Sequence, residues 1–414
     1  MRNAANSARR VPGDPNSPTI TLGQDIFIDQ NWSVSSFQPN DATGFAANVF
    51  SKTGTNEKVL AIRGTEAGLG FPTQTLADLV AADLDQIGLM GMALEQAVSL
   101  FNYIQTLRSD ATDTQVLRLD LNVSTLPGLY PSPVPAGAQS LSVEVLGFTT
   151  YVWFDVNHDA QGLGILNESD LVTVTGHSLG GHLAALAARL FPDLFDQSVI
   201  FNAAGFDPFT SLKLTDEIVG LFSSILSAEG QTSPALSFAD VPIYNLQAED
   251  SVPGNDTNLV ASLLTGIPAG LVQDIRVENN SHSMDQLMDD LGVLSLVEEL
   301  NPLMPTNQIF TLYDALSNQS GATGETLLEK LSRFFLFNDT NLEVVEAGLI
   351  SHGDFSLRSA NHERLLQLRA AILDQGYVIE SIVEQPAGQL IENARTSPAY
   401  GYALRELNPF VIQG

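Results

Sequence analysis

The chain has 414 residues, 44% of them hydrophobic, enough apolar material for a large buried core and too much for a disordered chain. Lys and Arg total 18 against 48 Asp and Glu, a formal net charge of −30, which disfavours binding to nucleic acid or to anionic membrane surfaces by electrostatics. Cysteine is absent, so there is no disulfide framework or thiolate metal site, and no run of about 18 apolar residues marks a transmembrane helix.

Residues 1–17 include Arg10-Val11-Pro12-Gly13-Asp14-Pro15-Asn16-Ser17, which resembles a translated cloning polylinker. They read as an expression scar and are expected to be disordered, without the apolar core of a signal peptide. Residues 18–300 then read as one domain. Ile20 to Ile28 suggests an opening strand. Residues 44–50 and 58–62 flank the Gly/Asn-rich loop 51–56 as a hairpin. From about Thr75 a helical pattern runs through Leu84, Ile87, Leu94, Val98, Phe101 and Ile104. Leu89-Met90-Gly91-Met92 within it suits either a core-facing helix end or a mobile cover. Residues 108–170 read as a long insertion, Pro-rich at first, with one strand-like part from Leu141 to Phe154. Asp155-Val156-Asn157-His158-Asp159 opens like a calcium loop, but Ala160 and Leu166 stand where that loop needs Gly and Glu. A polar β-turn is the reading preferred there.

The stretch around which the chain is organised follows. Leu171-Val172-Thr173-Val174-Thr175 reads as a buried strand, Gly176-His177-Ser178-Leu179-Gly180 as a sharp turn, and Gly181 to Leu190 as a helix. Strand, G-x-S-x-G, helix is the nucleophile elbow of α/β-hydrolases, with Ser178 raised above the sheet edge. Further strands are read at 198–202, 241–246 and 274–277, and helices at 214–228 and 284–299. Residues 301–414 read as a mostly helical extension, with periodicity at 327–337 and from Ser359 to a stop at Gly376. The apolar segments 84–107 and 207–230 are expected to act as lids.

A serine nucleophile needs a base, and the base an orienting acid. Of the six histidines, His177 lies inside the turn, His182 on the next helix, His158 in the insertion, and His352 and His362 in the extension. His282 alone follows a late strand downstream of Ser178, in the order serine, acid, histidine. For the acid, Asp250 ends the loop after strand 241–246 and is favoured. Asp207, Asp240 and the adjacent Glu249 remain open. The oxyanion needs two backbone donors: Leu179 N–H, and Thr65 N–H at the end of Arg63-Gly64-Thr65.

The set Arg63-Gly64-Thr65, Gly176 to Gly181, Asn245 through Asp250-Ser251-Val252-Pro253, and His282-Ser283-Met284 resembles the class 3 lipases. The nearest likeness is to bacterial lipases exported by type I secretion, over about residues 57–295. The resemblance implies an α/β-hydrolase fold with a central, mostly parallel sheet and lid-like insertions. It implies a Ser178–Asp250–His282 triad, with Thr65 and Leu179 as oxyanion donors. Carboxylic ester substrates, met as lipid at a lipid–water interface, and a secreted, extracellular location are further implications. The Gly-Gly-x-Gly-x-Asp calcium repeats of those secreted lipases are missing, so serine chemistry needs no cofactor here and calcium is left open. Lipase or esterase is the first function; phospholipase A1, or an inactive hydrolase-fold module of a larger secreted protein, are the alternatives.

Overall fold

A computed structural model describes residues 31–64, 92–127, 132–136, 138–145, 148–207, 214–250, 269–277, 284–305 and 376–414, with a few single positions between 308 and 368. Two compact units divide the chain, Met1–Leu246 with Val260–Gln273, and Gln247–Leu259 with Asp274–Gly414.

In the first unit, the strands are β1 (Trp32–Gln38), β2 (Ala47–Lys52), β3 (Glu57–Ile62), β4 (Val116–Pro127), β5 (Ser140–Val145), β6 (Phe148–Ala160), β7 (Leu171–His177) and β8 (Gln197–Phe201). Strands β9 (Ile243–Asp250) and β10 (Leu271–Val277) begin in it. Seven of these form one mixed sheet, in the order β1-β2-β3-β7-β8-β9-β10. β1, β2 and β3 are antiparallel neighbours, whereas β3-β7, β7-β8 and β8-β9 are parallel. The fold is therefore α/β. The hairpin read from the sequence is β2–β3. The strand expected at 20–28 lies outside the described residues, and the edge strand β1 was not anticipated.

The parallel strands are apolar because both faces of the sheet are covered. Val172, Val174, Leu60 and Ile200 are completely buried. Of three helices, α2 (Leu179–Leu190) packs directly on β3, β7 and β8, while α1 (Leu94–Arg108) and α3 (Leu214–Ala228) pack against α2 and the strands of the insertion. Every residue of α2 is buried, which its Ala- and Leu-rich sequence permits on all sides. Phe101 of α1 lies 5.5 Å from Phe191 at the end of α2 and 5.2 Å from Phe222 of α3. Phe154 of β6 lies 4.9 Å from the same Phe222. Each such ring contributes about 1.5–3 kcal/mol by burial. This corrects the lid expectation for α1 and α3, whose apolar faces form the core. Met92 is fully buried ahead of α1; residues 65–91 lie outside the described residues.

The insertion 108–170 also differs from expectation. It forms a three-stranded antiparallel sheet, β4-β6-β5. Asp155 to Asp159 is neither a calcium loop nor a turn: it is extended backbone in β6, with Asp155 opposite Asp120 and Asn157 opposite Arg118. The side chain of Asn102 in α1 accepts from Leu119 N–H at 2.8 Å and donates to Leu119 O at 2.9 Å. That occupies the free edge of β4 and blocks pairing with a foreign strand there.

In the second unit, α4 (Met284–Leu300) precedes residues 376–414, where β11 (Val378–Ser381) pairs antiparallel with β12 (Phe410–Gln413). Between them stand α5 (Ala387–Thr396) and α6 (Pro398–Arg405). Ile382, Tyr400, Ala403 and Val411 form a small core. The end of the chain is thus a strand–helix–helix–strand module, where a helical extension was expected. The helices expected at 327–337 and from Ser359 lie outside the described residues.

Candidate active site

β7 delivers the chain to Ser178 and α2 takes it away at once. Ser178 is the N-cap of α2 with φ 56° and ψ −124°, a conformation that costs a non-glycine residue about 1–3 kcal/mol. It persists because the backbone is held at both ends. Ser178 N–H donates to Phe201 O at 3.0 Å, and Ser178 O accepts from Gly181, His182 and Ala204 N–H at 3.0, 3.1 and 3.3 Å. No room is left for side chains beside the turn. A Cβ on Gly176 would collide with the backbone of Gly180, and one on Gly180 with the backbone of Ile62, Arg63 and Gly64. One on Gly181 would stand 2.8 Å from the Ala203 methyl. The glycines on either side of Ser178 are thus steric necessities of the turn.

The elbow also meets the end of β3. Ile62 is in register with Gly176, and a Cβ on Gly64 would come within 2.5 Å of His177 O. Arg63-Gly64 therefore passes directly against the turn, and the next residue, Thr65, lies outside the described residues. Leu179 is the first residue of α2, so its N–H has no acceptor inside the helix. The first turn of α2 carries no acidic side chain, which leaves the positive end of the helix available to developing negative charge.

The described residues bring together Ser178, Leu179 and the β3 end. Asp250 is the last residue of β9 and belongs to the second unit, as does His282, which lies outside the described residues. Other candidates have different duties. Asp240 stands before β9, at the end of a short 3₁₀ turn, where it accepts from Ser237 N–H and Oγ–H, both at 2.9 Å. Because β7, β8 and β9 are parallel, that position is at the sheet edge opposite Ser178. Asp207 follows β8 with φ 52° and accepts from Thr215 N–H at 3.2 Å in the first turn of α3. Burial raises its carboxyl above the ordinary carboxylate range, against the lowering effect of that bond. His158 pairs with Glu229 at 2.9 Å on the insertion sheet. His182 is fully buried, and burial pushes its imidazole down to about 4 although carbonyl contacts favour the cation. A cavity of about 620 Å³ opens against Arg189, Phe206, Asp207, Phe238 and Leu271, and Ser178 is not in its lining. Among the described residues no cluster of His, Asp or Glu is arranged to hold a metal, and no helix is long and apolar enough to cross a membrane.

Comparison with family models, with curated proteins and with solved structures finds no match to this chain. Its functional reading therefore rests on the chemistry of the site itself.

Proposed function

We propose that the protein is a serine carboxylic ester hydrolase of α/β-hydrolase fold, similar to the class 3 lipases, acting on acyl esters at a lipid–water interface outside the cell. The observation that carries this reading is Ser178, held at φ 56° between a parallel strand and an all-buried helix. A structural serine gains nothing from that strain, whereas a nucleophile gains exposure at the sheet edge.

In this reading His282 takes the hydroxyl proton as Ser178 Oγ attacks the acyl carbon, and Asp250 orients the imidazole and stabilises its cation. Leu179 and Thr65 N–H hold the oxyanion. Collapse of the tetrahedral adduct expels the alcohol, which leaves with the proton from His282. Water, deprotonated by the same histidine, then releases the acid and restores the serine. A fluorophosphonate probe tests the assignment. Labelling should map to Ser178 and vanish in Ser178→Ala, with hydrolysis of short esters lost in parallel. Absence of labelling in folded wild-type protein would favour an inactive hydrolase-fold module. A panel of triglycerides and phospholipids then separates lipase from phospholipase A1.

A further inference from the structure

The side chain of His182 is a fully committed polar group beside the elbow, and the proposed triad makes no use of it. It lies one helical turn after Ser178 with no exposed surface. Its Nε2 accepts from Ala93 N–H at 3.4 Å, and its Nδ1 faces Gly205 O at 3.2 Å and Ala204 O at 3.3 Å. An acceptor at Nε2 and carbonyls at Nδ1 fix the neutral tautomer with hydrogen on Nδ1. The ring also stacks on Phe206, 3.9 Å between centroids at 22°.

These partners belong to two chain segments, the loop after β8 and the start of α1. Ala204 donates its own N–H to Ser178 O, and His182 N–H does the same. One residue thus supports the strained Ser178 carbonyl directly and again through Ala204. On the other side, Ala93 is the residue from which α1 starts. Ala93 and Met92 just ahead of it are buried. A phenylalanine would fill the same space and keep the stack, but could anchor neither segment.

We propose that His182 is a positioning residue for the esterase reaction, tying the loop after β8 and the start of α1 to the helix that carries Ser178, so that the elbow keeps one geometry. This rests on the esterase reading above. Its effect passes through the backbone to the reacting atoms, so it should act on the chemical step and leave substrate binding alone.

The test compares wild type, His182→Phe and His182→Gln, each checked for fold by circular dichroism and melting. The readouts are the rate of fluorophosphonate labelling and kcat and KM on a short soluble ester. Folded His182→Phe should lose about tenfold or more in kcat, with KM within about twofold and labelling slowed in step. His182→Gln, whose amide oxygen can accept from Ala93 N–H, should recover part of the loss. Folded His182→Phe with wild-type kcat and labelling overturns the inference. Should His182→Phe fail to fold, His182→Asn decides, because it keeps a donor toward Ala204 and Gly205 and drops the acceptor for Ala93. Reduced kcat at unchanged KM then supports the inference, and unchanged kcat overturns it. Wild-type protein that neither labels at Ser178 nor cleaves the ester overturns the esterase reading and this inference with it. Active wild type with an equally active, folded His182→Phe overturns this inference alone.

Discussion

At the residue scale, Ser178 and His182 hold opposite kinds of stored cost. Ser178 sits at positive φ, a penalty that glycine does not incur. Ser178→Gly should therefore raise stability by about 1 kcal/mol after its larger unfolded-state entropy is subtracted. Ser178→Ala, which keeps a Cβ, should not. Both should lose about 10³-fold or more in turnover. Urea unfolding and ester kinetics on the pair check this, and equal stability of the two variants would mean the turn is unstrained. His182 is held neutral in the fold down to about 4, against 6.5 for a free imidazole. The unfolded chain therefore takes up its proton first as pH falls. The stability held in this group is intact above pH 6.5 and drains as pH falls toward 4. The gap of about 2.5 pH units corresponds to about 3 kcal/mol. The stability difference between wild type and His182→Gln should accordingly be smaller at pH 4.5 than at pH 7.5, with carboxylate effects common to both cancelling.

At the scale of elements, what was legible depended on how local the signal is. β7, the turn and α2 could be read because the β-branched run, the paired glycines and the alanine-rich helix each announce themselves within a few residues. The β2–β3 hairpin was legible for the same reason. The first half of β6 fell within the strand-like part read at 141–154, but its end was not legible, because Asp155 to Asp159 has turn composition and becomes a strand only through pairing with residues 116–120, some 40 positions earlier. β4 did carry a signal, Leu117, Leu119, Leu121 and Val123 alternating with Arg118, Asp120 and Asn122, and it went unread. The role of His182 could not be read at all: a histidine four residues beyond the serine says nothing of Ala93 or Gly205, which reach it by tertiary folding. The acid assignment belongs to this scale too. Asp207 serves the first turn of α3, so Asp207→Ala should cost about 1 kcal/mol of stability and leave Ser178 labelling largely intact. Asp250→Asn should leave stability near wild type and cut turnover by orders of magnitude. The reverse pattern would move the acid from the end of β9 to the loop after β8.

At the scale of the whole molecule, a net charge of −30 acts on the proposed substrate surface more than on the fold. An acidic protein approaching a neutral lipid interface meets no long-range barrier, but the proposed hydrolysis would load that interface with fatty carboxylates of its own sign. Repulsion between them weakens adsorption as product accumulates, unless ions screen it; the Debye length shrinks from about 10 Å at 0.1 M salt to about 3 Å at 1 M. Hydrolysis of a long-chain ester carried in anionic vesicles should therefore rise steeply with salt, and vesicle co-flotation of inactive Ser178→Ala should rise with it. The same ester in zwitterionic vesicles should show a nearly flat salt response in its initial rate, and a short soluble ester should show none. A protein that bound anionic vesicles as well in low salt as in high would have to present a basic face to the lipid, and with 18 cationic side chains against 48 anionic ones that face would have to be concentrated around the site.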